Sequence, residues 1–178
     1  MKKTLFAVAC FLVLGARAQE TTDVAVSEPN DAGVVRAILD KNDMAARPLD
    51  QVAVFSAGRV AKLNLDNPDF GQRGLTMVPP EIGELTELTE LTMNDNDLVT
   101  LPDEIGNLTK LRTLEIKNNA LVSLPSTIGN LESLTQLDLR NNELATLPTE
   151  IGLLGNLWKL QLWGNNIREL PQTIGALS

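Results

Sequence analysis

Residues 131–153 read LESLTQLDLRNNELATLPTEIGL, and this stretch decides the fold because the chain repeats it. Three further stretches align with it at a spacing of 23 residues without a gap. The four stretches begin at Leu85, Leu108, Leu131 and Leu154. Aliphatic residues, asparagine, proline and glycine recur at the same places in each, and such self-similarity at a fixed period indicates a repeat architecture.

Each repeat contains a short segment in which two aliphatic residues flank one polar residue, as Leu137 and Leu139 flank Asp138. This alternation is typical of a strand with one buried face. One strand per repeat predicts a parallel sheet with neighbouring strands about 4.8 Å apart. The aliphatic pairs are Leu91/Met93, Leu114/Ile116, Leu137/Leu139 and Leu160/Leu162.

The second half of each repeat predicts the return of the chain. An asparagine follows the strand, and its amide can satisfy backbone groups that no strand reaches. Leu-Pro then suits the start of a short helical turn, and a glycine ends that turn, where we expect a positive φ. The residues concerned are Asn96, Asn119, Asn142 and Asn165, followed by Gly106, Gly129, Gly152 and Gly175.

The combined pattern Leu-Pro-x-x-Ile-Gly-x-Leu-x-x-Leu-x-x-Leu-x-Leu-x-x-Asn resembles the 23-residue leucine-rich repeats of the Ras-group and plant intracellular kind. The resemblance covers residues 85–176 closely, as four units (85–107, 108–130, 131–153 and 154–176), and residues 60–84 loosely. It implies an α/β fold, a right-handed solenoid with a parallel sheet on its concave side. It also implies protein recognition without specifying a partner.

Residues 60–84 form an irregular first repeat with five extra residues, in which Pro68 occupies the asparagine position. Proline is tolerated at the edge of a sheet but not inside it, so we expect this repeat at the N-terminal end. The loop that contains this insertion, residues 69–74, should project from the rim.

Residues 31–59 are predicted to form an N-terminal cap over the first repeat, because solenoids need their open ends covered. Asn30 or Asp31 can start a helix, and a hairpin is expected around residues 56–59. Residues 19–30 are acidic and lack an apolar pattern, so they are interpreted as a flexible lead-in.

Residues 1–18 read as an export signal. Lys2 and Lys3 precede an apolar run, and residues 16–18 offer the small-x-small pattern of a cleavage site. The run is too short to span a bilayer, so no membrane insertion is expected after cleavage. A lipid-anchored start at Cys10 is the alternative, although little of the apolar run precedes it. The lysine-rich start is typical of bacteria, which predicts a secreted or periplasmic protein.

The composition excludes several classes of partner and chemistry. Removal of Lys2, Lys3 and Arg17 lowers the net charge from −8 to −11, because 12 basic residues then face 23 acidic ones. Such an acidic surface repels nucleic acid and anionic lipid. The remaining chain lacks His, Cys and Tyr, which rules out thiolate, Ser-His and histidine-metal sites. We therefore expect no enzyme activity, no cofactor and no metal.

The outward residues of the predicted sheet are the candidate binding surface. Two acids stack on adjacent strands, two bases stack beside them, and each column is expected to neutralise the other diagonally. These charges form either a solvated lattice of little consequence or a contact patch for a partner. The candidates are Glu115, Lys117, Asp138, Arg140 and Lys159.

Aromatic residues provide the second group of candidates. Trp163 is predicted on the concave face and Trp158 on its flank, where an exposed tryptophan is a typical binding hot spot. Both could instead pack on a following turn. Phe70 and Arg73, in the inserted loop, are the next candidates.

Two functions remain open from the sequence. The favoured one is recognition of a protein partner through the concave face. The alternative is a carbohydrate-binding or structural cell-envelope protein, although aromatic residues are only 3% of the chain. The last repeat, 154–176, has no predicted cover, which fits self-association, docking of a partner, or a lost C-terminal cap.

Overall fold

A computed structural model describes residues 30–67 and 74–177. The predicted signal peptide, nearly all of the acidic lead-in, and most of the inserted loop lie outside the described residues. Within them, one six-stranded sheet forms one side of the molecule and short 3₁₀ helices form the other. The inward-facing aliphatic side chains are buried between these two layers, except in the last repeat, where most are only partly buried.

The N-terminal unit consists of two helices and a hairpin. They are α1 (Asp31–Lys41), α2 (Leu49–Val52), β1 (Ala53–Ser56) and β2 (Arg59–Asn64). β1 and β2 pair antiparallel. Helix α1 begins because Asn30 caps it, with Oδ1 accepting a hydrogen bond from the N–H of Gly33 at 2.9 Å. The helix buries Val34, Val35, Ile38 and Leu39 against the solenoid core.

The remaining strands are parallel and stack in chain order. They are β3 (Glu90–Thr92), β4 (Thr113–Glu115), β5 (Gln136–Asp138) and β6 (Lys159–Gln161). Leu91 lies opposite Leu114, Leu114 opposite Leu137, and Leu137 opposite Leu160. The 23-residue spacing of the sequence is therefore the register of the sheet.

Five 3₁₀ helices return the chain on the side opposite the sheet. They span Pro80–Glu84, Asp103–Asn107, Ser126–Asn130, Thr149–Leu153 and Gln172–Ala176. A proline precedes each of them in an extended conformation, as at Pro102 with φ −72° and ψ 154°. Its ring fixes φ near the value that the turn requires.

The expectation of a positive φ at Gly106, Gly129, Gly152 and Gly175 is wrong, because the described glycines with positive φ are Gly58 and Gly164. The repeat glycines instead allow successive turns to touch. A Cβ on Gly106 would lie 2.6 Å from the carbonyl oxygen of Thr127, and one on Gly129 would lie 2.7 Å from that of Glu150. Gly175 has open space beside it, since no described turn follows.

An asparagine ladder connects each strand to the return of the preceding repeat. Oδ1 of Asn142 accepts from the N–H of Leu121 at 3.0 Å, while its Nδ2 donates to the carbonyls of Ile116 at 2.9 Å and Leu139 at 3.0 Å. Corresponding bonds occur at Asn96, Asn119 and Asn165. Each such bond contributes about 0.5–1.5 kcal/mol net, and losing one leaves buried groups unpaired.

Two polar residues fix helix α1 in place: Asn42 joins it to the return segment of the first repeat, and Asp31 joins it to strand β2. Asn42 is buried, and its Oδ1 accepts from the N–H groups of Thr76 at 2.9 Å and Met77 at 3.2 Å. The carboxylate of Asp31, only 2% exposed, accepts from the N–H of Val60 at 2.7 Å and from Nε of Arg59 at 2.9 Å. The sequence analysis assigned neither role.

The other end of the core is open. Leu137 and Leu139 are at most 1% exposed, whereas Leu160 and Leu162, at the same positions of the last repeat, are only partly buried. Leu170 is 51% exposed. Within residues 30–67 and 74–177, no element packs against this side of β6.

Gly106→Ala should destabilise the protein, while Gly175→Ala, at the same repeat position, should not. The added methyl group of the first variant collides with the Thr127 carbonyl, and such overpacking costs about 1–3 kcal/mol. The second variant meets empty space. Urea unfolding of both variants measures the difference, and equal losses of stability would refute the contact explanation.

Candidate concave-face binding site

The concave face consists of the side chains that alternate away from the core. The sheet register aligns them in columns that cross the strands. The first column is Glu90, Thr113, Gln136 and Lys159, and the second is Thr92, Glu115, Asp138 and Gln161. The predicted stacking of Glu115 beside Asp138 is therefore present.

Asp138 and Arg140 form the most constrained ion pair of this face. Nε of Arg140 donates to Oδ1 of Asp138 at 2.8 Å, and its Nη2 donates to Oδ2 at 2.6 Å. The Asp138 side chain is only 8% exposed. This two-point contact fixes the guanidinium plane, because both hydrogen bonds must be aligned at once. The pair runs along its own strand rather than diagonally across strands.

Burial alone would raise the pKa of Asp138, but its hydrogen bonds from the side chain and backbone N–H of Arg140 act in the opposite direction. The positive charges of Arg140 and Lys117 add to them, and the pKa lies below its ordinary value. The hydrogen bond to Asp138 raises the pKa of Arg140, assisted by the charge of Glu115. The expected diagonal neutralisation, of Asp138 by Lys117 and of Arg140 by Glu115, is thus a longer-range electrostatic effect without a salt bridge.

Arg140 also lies over an aromatic ring. Its guanidinium carbon is 5.4 Å from the centroid of Trp163, which is a cation–π distance. Trp163 is 61% exposed, so one face of the indole remains in solvent. Asp138, Arg140 and Trp163 therefore form a chain in which a buried carboxylate orients a cation and the cation supports an exposed ring.

Glu115 and Lys117 are not paired with each other. Oε2 of Glu115 accepts from Nδ2 of Asn94 at 3.4 Å, and Oδ1 of Asn94 accepts from the backbone N–H of Lys117 at 3.0 Å. Asn94 is buried, although the sequence pattern placed it among the outward residues. The ammonium of Lys117 has no hydrogen bond or salt bridge to any described residue.

The remaining candidates are separated. Trp158 is 69% exposed at the start of the last strand, and Lys159 next to it is exposed without an ion pair among the described residues. Trp163 is 61% exposed, so no described turn covers either tryptophan. Phe70 and Arg73 lie outside the described residues.

A second polar ladder lines the edge of this face. Asp95, Asn118 and Asn141 have φ values of 60°, 55° and 53°, a region that asparagine and aspartate tolerate better than most residues. Nδ2 of Asn118 donates to Oδ1 of Asp95, and Nδ2 of Asn141 donates to Oδ1 of Asn118, both at 2.6 Å. Gly164 continues the column with φ 75°.

A cleft of about 320 Å³ lies at the N-terminal end of the concave face, and the sequence analysis did not predict it. Asp50 comes from α2, Val54 from β1, Lys62 from β2 and Glu90 from β3. Asp66 lies at the end of β2 and also lines the cleft. No local sequence signal could reveal it, because four separate elements form its wall.

Two further kinds of site are absent from the described residues. Among residues 30–67 and 74–177, no three acidic side chains lie close enough together to hold a metal ion. In the same part of the chain, no helix has the length and apolarity that crossing a membrane requires.

Comparison with known proteins agrees with the geometry. The family model for the leucine rich repeat matches residues 86–144 and 111–167. The protein is built from leucine-rich repeats. No curated protein sequence matches significantly. Among solved structures, a leucine-rich-repeat protein of Leptospira interrogans is 43% identical over 58% of this chain, with a TM-score of 0.57.

Two Arabidopsis thaliana structures share the leucine-rich-repeat fold. The ectodomain of the receptor kinase SOBIR1 is 24% identical, with a TM-score of 0.63, over 79% of this chain and 94% of its own length. The BIR3–SERK2 complex contains a chain 26% identical, with a TM-score of 0.58, over 69% of this chain and 66% of that one. The present chain spans 26% of the Leptospira protein.

Asp138→Asn should remove an acid-dependent part of the protein's stability. The folded pKa of Asp138 is lowered, so its carboxylate stabilises the fold above the unfolded pKa and that contribution is lost as pH falls through the folded pKa. The free energy of unfolding, measured from neutral to acidic pH, should therefore fall less for the variant. Glu87→Gln, which breaks an exposed pair with Lys110, is the control and should change stability little.

Proposed function

We propose that this protein is a secreted, non-enzymatic leucine-rich-repeat module that binds a protein partner through its concave face. The observation that carries the proposal is the Asp138–Arg140–Trp163 chain. It supplies an oriented cation in one repeat and an exposed aromatic ring in the next. Because the Arg140 side chain is already held in place, binding of a partner costs less side-chain conformational entropy. Tryptophan and arginine are the residues most enriched in interface hot spots.

The comparisons support a binding role at a coarser level. Leucine-rich-repeat chains act typically as protein-interaction modules, and the BIR3–SERK2 structure is a complex of two named proteins. Secretion rests on the basic start, apolar run and small-x-small site of residues 1–18. A cleaved chain with these properties would work outside the cell or in the periplasm.

Self-association through the open C-terminal end belongs to the same proposal. Among the described residues, strand β6 pairs with β5 alone, and Leu162, Ile167 and Leu170 form a groove with Trp163 beside it. An unpaired strand next to apolar side chains favours pairing with another chain. The last repeat carries Lys159, Arg168 and Glu169 as its charged residues, so two such ends meet without strong repulsion.

Arg140→Ala and Trp163→Ala should each weaken binding of a partner captured from the producing organism's surroundings. Hot-spot truncations cost about 2 kcal/mol or more, which is over tenfold in Kd. Asp103→Ala and Thr149→Ala, on the exposed return turns, are the matched controls. Loss of binding in the controls alone would move the site to the convex face and contradict the proposal.

Leu170→Glu should convert a self-associated form to a monomer, because it introduces a charge into the exposed edge of the last repeat. Leu153→Glu changes a leucine of the preceding return helix that is 65% exposed, against 51% for Leu170, and should leave association unchanged. Light scattering in solution gives the mass of each variant. A monomeric wild-type chain, or equal effects of both substitutions, would show that this end does not associate.

A further inference from the structure

We propose that the concave face accepts an extended polypeptide segment of dipolar charge. A basic side chain of the segment would enter the cleft beside β1, β2 and β3. An acidic side chain, about six residues away, would meet Lys159 on β6, and Lys117, which follows β4, would add positive charge along the way. This inference rests on the proposed function, because it names the chemistry of the protein partner and its direction across the sheet.

The first observation is that charge is divided along the concave face. Its N-terminal half, from α2 to Asp95, carries four acids and one base: Asp50, Asp66, Glu90, Asp95 and Lys62. Arg59 of β2 is not counted, because its guanidinium pairs with Asp31 of α1. The C-terminal half of the face carries three bases and two acids: Lys117, Arg140, Lys159, Glu115 and Asp138. The two halves therefore have opposite net charge, although the whole chain carries −8.

The second observation is which charges remain after internal pairing. Lys62 lies 2.7 Å from Glu90, which neutralises both. Asp50 and Asp66 have no salt bridge within the described residues. The guanidinium of Arg47 reaches only the main-chain carbonyl of Asp66, at 3.3 Å. Two carboxylates thus line the cleft without a salt-bridge partner among residues 30–67 and 74–177.

The shape and lining of the cleft suit a lysine or arginine side chain. Val54, 57% exposed, and the neighbouring Val52 and Ala53 offer an apolar wall for the methylene stem. Asp66 uses Oδ1 to accept from the N–H of Asn94 at 2.7 Å, which leaves Oδ2 for a ligand. Thr92 also lines the cleft, and its hydroxyl is buried with no hydrogen-bond partner.

The opposite half suits a carboxylate. Lys117 and Lys159 lack anionic partners within the described residues, whereas Arg140 already donates Nε and Nη2 to Asp138. Trp163 beside Arg140 offers an exposed ring to an apolar side chain of the same segment. Polyanions such as nucleic acid fit poorly, since the acidic half of the face would repel them.

The sheet geometry determines the spacing between the two charged residues of the partner. Four inter-strand steps separate β2 from β6, which is about 19 Å at about 4.8 Å per step. An extended chain advances about 3.3 Å per residue. A segment that crosses the strands therefore places its basic and acidic residues about six positions apart.

The test uses a random dodecapeptide library displayed on phage, selected on the full-length chain. Enriched sequences should contain Lys or Arg and, about six residues away, Asp or Glu. Peptides selected on the Asp50→Asn/Asp66→Asn variant should lose the preference for a basic residue and keep the preference for an acidic one. Peptides selected on the Lys117→Gln/Lys159→Gln variant should keep the basic residue and lose the acidic one. Asp40→Asn/Asp103→Asn, which changes exposed acids elsewhere, is the matched control.

One enriched peptide then gives the affinities. Calorimetry should show its Kd weakened about tenfold by Asp50→Asn/Asp66→Asn, the size expected for one charge-assisted contact, and unchanged by the control. The direction is read from Trp158 and Trp163, the only two tryptophans of the chain. A quencher on the acidic end of the peptide should reduce their fluorescence more than one on the basic end.

Other outcomes separate the two proposals. Peptides that need Arg140 and Trp163 but show no charge pattern overturn this inference and leave the proposed function standing. A preference for basic peptides that survives in the Asp50→Asn/Asp66→Asn variant also overturns this inference and leaves the proposed function standing. Peptides whose binding is indifferent to Arg140→Ala and Trp163→Ala, or a library without any binder, count against both.

Discussion

The asparagine ladder is the interaction on which the rest of this structure depends. A return segment has no strand partner, so its backbone groups would be buried unsatisfied without a side chain that can both accept and donate. Asn142 does both at once, towards Leu121 on one side and Ile116 and Leu139 on the other. Removing one rung would leave buried backbone groups of two neighbouring repeats without hydrogen-bond partners.

The ladder also explains how the concave face becomes a binding surface. Because the ladder keeps the same register between neighbouring repeats, outward residues 23 positions apart lie side by side. Asp138, Arg140 and Trp163 meet in this way, two from one repeat and one from the next. The function proposed for this face is thus a consequence of the register, and the register is a consequence of the ladder and the touching turns.

The sequence analysis predicted part of the site and missed part, for identifiable reasons. Arg140, Trp163 and the stacked acids belong to the periodic region, where position in the repeat predicts position on the sheet. The N-terminal cleft combines Asp50 with Asp66 and Glu90, and no period connects residues so far apart in sequence. The glycine prediction failed because a close contact and a positive φ both favour glycine, and sequence cannot separate them.

The sequence by itself determined the repeat, its parallel sheet, the ladder and the columns of the concave face, because each follows from a local pattern repeated at one spacing. The tertiary structure alone decided which charges pair and which remain free. Asp138 pairs with Arg140 because burial makes an unpaired carboxylate costly, whereas the ammonium of Lys117 remains without a described partner. Such choices depend on burial and on contacts between distant residues, which periodicity does not encode.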